Sequence, residues 1–121
     1  WYIRLKDDRP FAFAGICEQW MNPSSGETMP TFSIITTHAN PLLSEIHNSK
    51  KRMPVILPEA TEKSWISSIP DPEKLRHLLT PLPQELLTAH PVSSRLNTRQ
   101  IDPNDPSVIQ PATAADNGSL F

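Results

Sequence analysis

Proline occurs fourteen times in this chain and glycine three times, from Pro10 through Pro111. Proline has no N–H to donate, so it breaks helix interiors and is confined in sheets to edges, bulges and strand starts. A chain punctuated in this way cannot build long helices or wide, regular sheets. It predicts short elements joined by irregular connections. With 121 residues there is material for one domain and not two.

Between the prolines the pattern is mixed. Tyr2–Lys6 alternates as a half-buried strand, and Phe11–Cys17 (FAFAGIC) reads as a second strand across an Asp-Asp-Arg-Pro turn, which predicts a hairpin. Gly15 within it marks a bulge or a close backbone approach. Residues 21–30 read as a polar loop, and Thr31–Thr37 (TFSIITT), β-branched and aromatic, is the clearest strand. Asn40-Pro41 starts a short helix, with Asn as cap and Pro in the first turn; Leu42, Leu43 and Ile46 form its apolar face and His47 ends it. Pro54–Leu57 comes next as a short buried strand. Helices are predicted over Glu59–Ser68 and from Asp71-Pro72 to Leu79, each with acidic residues in the first turn. Leu87–Ser93 reads as a strand, residues 98–106 as a loop, Val108-Ile109 as a sheet-edge pair and residues 112–121 as a disordered tail. Together these give an α+β class: a mixed, largely antiparallel sheet or partial barrel of short strands with a few short helices.

Several function classes are excluded. Net charge is −2, so any contact with nucleic acid must come from a local patch. Cys17 is the only cysteine, which rules out an internal disulfide and a multi-cysteine metal cage; within an apolar strand it reads as a buried thiol. The four histidines lack metal-ligand spacing, and neither a nucleophile elbow nor a glycine-rich phosphate loop is present, so no metal and no cofactor is expected. No stretch approaches the ~20 apolar residues of a membrane span, and the opening residues lack a signal-peptide core, which predicts a soluble, cytoplasmic protein without membrane contact; separately, a monomer is expected.

Candidate chemistry is sparse. His47 has the side chain best suited to proton transfer near neutral pH, with a reference pKa of ~6.5, yet a histidine closing a helix also simply complements the dipole. Lys50, Lys51 and Arg52 suit phosphate contacts or a solvated loop. Thr36 ends a strand where its hydroxyl can meet a ligand. His90, Arg95 and Asn97 suit an anionic ligand or turn-forming roles, and His38 and His77 read as surface residues. Trp1, Trp20 and Trp65 suit base stacking or, more commonly, core packing.

RPFAFAGICEQW (9–20), TFSIITTHAN (31–40), PLLSEIH (41–47), RMPVILP (52–58), HPVS (90–93) and SVIQP (107–111), taken in order, resemble the C-terminal half of the SOS-response-associated peptidase (SRAP) family. The likeness runs over roughly residues 2–111, so residues 1–111 are expected to be the C-terminal part of one such domain, with its N-terminal half outside this chain. The resemblance implies a bacterial, nucleoid-acting protein that binds single-stranded DNA containing abasic sites. An N-terminal cysteine, absent here, would crosslink covalently to the lesion as a thiazolidine after removal of a short leader from its own chain. It implies that His47 helps open the deoxyribose ring and moves protons, that Thr36, eleven residues earlier, lines the same pocket, and that Arg52 is the family's arginine after the histidine. Asn48-Ser49-Lys50-Lys51 stands between His47 and Arg52 where the commonest family form places Asp-Arg at once. Two further readings stand beside this one: a non-catalytic single-stranded DNA-binding module, and an inactive fragment.

Overall fold

The computed structural model describes residues 1–46, 49–67, 71–94, 102 and 104–113. It is α+β, with eight short strands, all antiparallel where they pair, and three short helices among the described residues. No helix among them is long and apolar enough to cross a membrane. The chain divides into two compact units: Pro10–Leu86, and Trp1–Arg9 together with the segment from Leu87 onward.

The larger unit is organised around three places where a strand breaks and changes partner. β2 (Ala12–Phe13) and β3 (Gly15–Met21) are separated by Ala14 alone. Ile35 alone separates β4 (Thr28–Ile34) from β5 (Thr36–His38), and Val55 alone separates β6 (Arg52–Pro54) from β7 (Ile56–Leu57). β2 pairs with β7, β3 with β4, and β5 with β6, which makes three two-stranded arms. At their meeting point the three single residues close a ring of backbone hydrogen bonds. Ala14 N–H donates to Val55 O (2.8 Å), Val55 N–H to Ile35 O (2.9 Å), and Ile35 N–H to Ala14 O (2.9 Å). Every polar backbone group at the break thereby finds a partner, as buried main chain requires. Ala14 and Val55 are fully buried and form the core with Leu57, against which half-buried Ile35, Trp65, Leu78 and Leu79 pack. Two-strand arms also explain the prolines: every strand is an edge strand, so Pro30 within β4 and Pro54 within β6 are tolerated.

Helix α1 (Pro41–Ile46) comes directly after β5, α2 (Glu59–Trp65) comes after β7, and α3 (Pro72–Leu78) is capped by Asp71, whose carboxylate accepts from the Glu73 and Lys74 amides. In the smaller unit, β1 (Tyr2–Leu5) pairs with β8 (Leu87–His90) from Tyr2 opposite His90 to Leu5 opposite Leu87. A 3-10 turn at Pro106–Ile109 is capped by Asp105.

Several expectations are corrected. The hairpin of β1 with FAFAGIC does not form, because β8 is the partner of β1 and β7 the partner of β2. FAFAGIC, TFSIITT and PVIL are each two strands, broken at Ala14, Ile35 and Val55. The 21–30 loop contracts to residues 22–27, closed by Asn22 N–H to Glu27 O (2.8 Å), with Gly26 supplying the positive φ of 74°. Val108-Ile109 lies in the 3-10 turn, and the sheet-edge bridge is made instead by Pro111 with Val92. The tail expectation falls mostly on 114–121, outside the described residues. Cys17 is exposed, not buried, because β3 and β4 form a ribbon open on both faces. Trp1 and Trp20 are exposed as well, while Trp65 packs at the core and donates its indole N–H to Gly15 O at 3.0 Å.

Candidate functional site

The β5–β6 arm carries most of the described candidates. Its register sets Thr36 opposite Pro54, Thr37 opposite Met53 and His38 opposite Arg52. Side chains alternate along a strand, so Thr36, His38 and Arg52 share one face while Thr37 and Met53 share the other. Burial agrees with that division: Met53 is 1% exposed and Thr37 half-buried, whereas Thr36, His38 and Arg52 are exposed. Across the outer face the Arg52 guanidinium donates through Nη2 to the Thr36 hydroxyl oxygen. This is the diagonal contact expected between neighbouring pairs on one face of a ribbon.

Asn40 anchors the chain between the two strands of this arm. It is the buried polar side chain of the described structure, 5% exposed, and both ends of its amide are engaged. Its Oδ1 accepts from Leu43 N–H (2.9 Å), capping α1, and its Nδ2 donates to Leu82 O (2.8 Å). Its backbone N–H points at the Met53 sulfur, 3.4 Å away. The helix leading to position 47 is therefore pinned at its start to β6 and to the segment at Leu82. The return from that helix closes with Ala39 N–H donating to Lys51 O (2.9 Å), and Lys51 takes a left-handed conformation with φ of 47°. That conformation strains any residue with a Cβ.

Electrostatically, four basic residues elsewhere pair with carboxylates, whereas Lys6 and Lys63 meet none among the described residues. Arg4 pairs with Asp8, Arg9 with Asp7, Lys74 with Asp71 and Arg76 with Glu73. Lys50, Lys51 and Arg52 are exposed and meet no carboxylate among the described residues; the side chain that holds Arg52 is a neutral hydroxyl. Three adjacent cations whose charge no acidic side chain among the described residues offsets make this turn locally positive.

Thr36, Lys50, Lys51 and Arg52 are thus brought together in one arm. His47, Arg95 and Asn97 lie outside the described residues. His90 belongs to the other unit and is engaged there. Its ring lies 5.4 Å from that of Tyr2, and its Nε2, which must carry the proton because a carbonyl only accepts, donates to Ile109 O at 2.8 Å. His38, which the sequence marks only as a surface residue, stands on the outer face with Thr36 and Arg52. The signal for it is the two-residue spacing from Thr36 within a strand. No three acidic, His or Cys side chains gather to hold a metal ion among the described residues.

Comparison with known proteins gives a consistent result. The family model described as SOS response associated peptidase (SRAP) matches residues 1–99. The abasic site processing protein YoqW of Bacillus subtilis is 40% identical over 109 residues, which is 89% of this chain and 46% of that protein. The abasic site processing protein HMCES of Gallus gallus is 37% identical over 98 residues, 78% of this chain and 27% of that protein. A Bacteroides thetaiotaomicron protein solved by X-ray crystallography superposes with a TM-score of 0.82 at 37% identity, covering 93% of this chain and 47% of the other. The chain spans about half the length, or less, of these relatives.

Proposed function

The chain belongs to the SOS response associated peptidase (SRAP) family, and from that premise we propose that it serves the processing of abasic sites in single-stranded DNA by holding the DNA backbone beside the lesion. The observation that carries this reading is the un-neutralised Lys50-Lys51-Arg52 run on the β5–β6 arm, with Arg52 held by Thr36. A phosphodiester oxygen is the anion such a surface fits, and a guanidinium with further N–H groups to donate is the partner suited to it. The relatives' activity on abasic sites supplies the kind of DNA.

In this reading Thr36 and Arg52 line the wall of the lesion pocket. His47, on the residue after α1, moves the proton as the abasic deoxyribose opens to its aldehyde. The covalent step needs a cysteine with a free α-amine: the amine condenses with the aldehyde and releases water, then the sulfur adds to the imine carbon while its proton passes to nitrogen. An α-amine, with a reference pKa near ~8, is partly neutral at pH 7, which a lysine near ~10.4 is not. Cys17 has its nitrogen in a peptide bond inside β3 and does not supply that pair. In this reading the nucleophile is not Cys17, the single cysteine of these 121 residues.

The test is binding of this chain to a single-stranded oligonucleotide with and without one abasic site, across a salt series. Binding that weakens with salt, and weakens further in Lys50→Ala/Lys51→Ala, is expected. Absence of binding at low salt would overturn the reading. So would a stable covalent adduct that disappears in Cys17→Ser, because it would place the nucleophile within this chain.

A further inference from the structure

Resting on the phosphate-binding reading of the β5–β6 arm, we infer that His38 is a further DNA-contact residue, donating its ring N–H to the phosphodiester next to the one held by Arg52. His38 is the direct cross-strand partner of Arg52, on the outer face that also carries Thr36. Directly opposed residues on one face of an antiparallel pair stand ~5 Å apart at Cβ, so one extended backbone can meet both side chains. The face offers the ring no carboxylate to bind, since β5 and β6 contain none, and its Thr36 hydroxyl oxygen already accepts from Arg52.

The ring's surroundings favour an outward donor. Its Nδ1 lies 3.5 Å from the Thr37 hydroxyl. When that hydroxyl donates to Nδ1, the proton of the imidazole sits on Nε2, which has no partner among the described residues. His90 shows the opposite case, with Nε2 donating to the Ile109 carbonyl and the ring against Tyr2. Of these two histidines, only His38 has its outer nitrogen free for a ligand. His38 therefore widens the anion surface from the basic turn across to β5, at the end of the arm nearest Lys51.

The experiment measures binding of a single-stranded oligonucleotide by fluorescence anisotropy over a salt series, comparing the unchanged chain with His38 variants, Arg52→Ala and a distant control, His77→Lys. His38→Ala is expected to weaken binding about fivefold, the share of one hydrogen bond. His38→Glu is expected to weaken it by more than about tenfold, since a carboxylate opposite Arg52 claims the guanidinium and repels phosphate. The decisive variant is His38→Lys: one added phosphate contact steepens the dependence of log K on log salt by about 0.7, a change that a merely structural role does not produce. His77→Lys leaves the slope as it was. If Arg52→Ala weakens binding while all three His38 variants bind with the affinity and slope of the unchanged chain, His38 does not touch DNA. If the unchanged chain fails to bind at low salt, the phosphate reading itself falls and His38 with it.

Discussion

Two arms leave the same three-strand junction and present opposite surfaces. The β5–β6 arm has one buried face, anchored by Met53, and one polar face with Thr36, His38 and Arg52. The β3–β4 arm is longer, seven residue pairs, and both its faces are open. It exposes Ile16 (60%), Met21 (63%) and Phe32 (79%) together with Trp20, Met29 and Ile34. Its only charged strand residue is Glu18, and no lysine or arginine occurs anywhere in residues 10–49. A phosphate backbone gains nothing on such a ribbon, whereas the basic arm is suited to it. The difference teaches that the location of cations, and not the strand scaffold, separates an arm suited to a phosphate backbone from one that is not. Base-stacking on Trp20 or Phe32 is a poor reading for the same reason, and the two rings also stand on opposite faces of the ribbon.

The sharpest way to break this contrast is to move the charge. Replacing Lys50, Lys51 and Arg52 together by alanine is expected to lower affinity for single-stranded DNA by about a hundredfold at low salt, and to reduce the salt slope by about 2. Anisotropy titrations check this, and an unchanged slope would place the DNA on another surface. Next in size is Asn40→Ala, which removes a helix cap and strands the buried Leu82 carbonyl; a loss of roughly 2–3 kcal/mol in urea unfolding is expected. A loss under about 0.5 kcal/mol would show that α1 is not pinned through Asn40. Trp65→Phe keeps the ring in the core but deletes the donor to Gly15 O, for a cost of about 1 kcal/mol. By contrast, Phe32→Ser, on the open ribbon, is expected to change folding stability by less than about 0.5 kcal/mol and DNA affinity not at all. A weakened DNA affinity in that variant would reverse the comparison of the two arms.

The smallest expected effect lies in the other unit. Asp105 accepts the Ser107 N–H at 2.8 Å, and this hydrogen bond holds its carboxyl below the ordinary aspartate range. A depressed carboxyl stabilises the turn above its unfolded titration range and loses that contribution as pH falls through the depressed folded value. The Ser107 amide resonance is therefore expected to shift with a midpoint below that of an unstructured aspartate. A midpoint at or above the ordinary value would mean that the cap does not form.

Much of the fold is legible in local signals. Asn40-Pro41 and Asp71-Pro72 announce helix starts through caps and first-turn prolines, and both helices begin there. The partner changes are not legible, because Ala14, Ile35 and Val55 carry no turn chemistry and simply continue an apolar strand pattern. What ends each strand is a hydrogen bond to a third segment far away in sequence. Cys17 departs from its sequence reading for a related reason: an apolar neighbourhood in sequence implies burial only if the strand has a covered face, and this ribbon has none. At the site, Lys50 to Arg52 are visible as a charge run and Thr36 through resemblance. The contact between Thr36 and Arg52, and the place of His38 beside them, depend on a register that spans sixteen residues.

The ring at Ala14, Ile35 and Val55 also governs where the chain can change length. Each of these residues is a single link between two arms, and its neighbours on both sides are committed to different partners. Adding or deleting one residue there would shift the register of an arm by one and turn its inner side chains outward. Length can vary without that penalty only at the tips. The tip between β5 and β6 contains the helix, position 47 and the basic turn. A change of length at that tip leaves the register of both strands, and the ring at the junction, as they are.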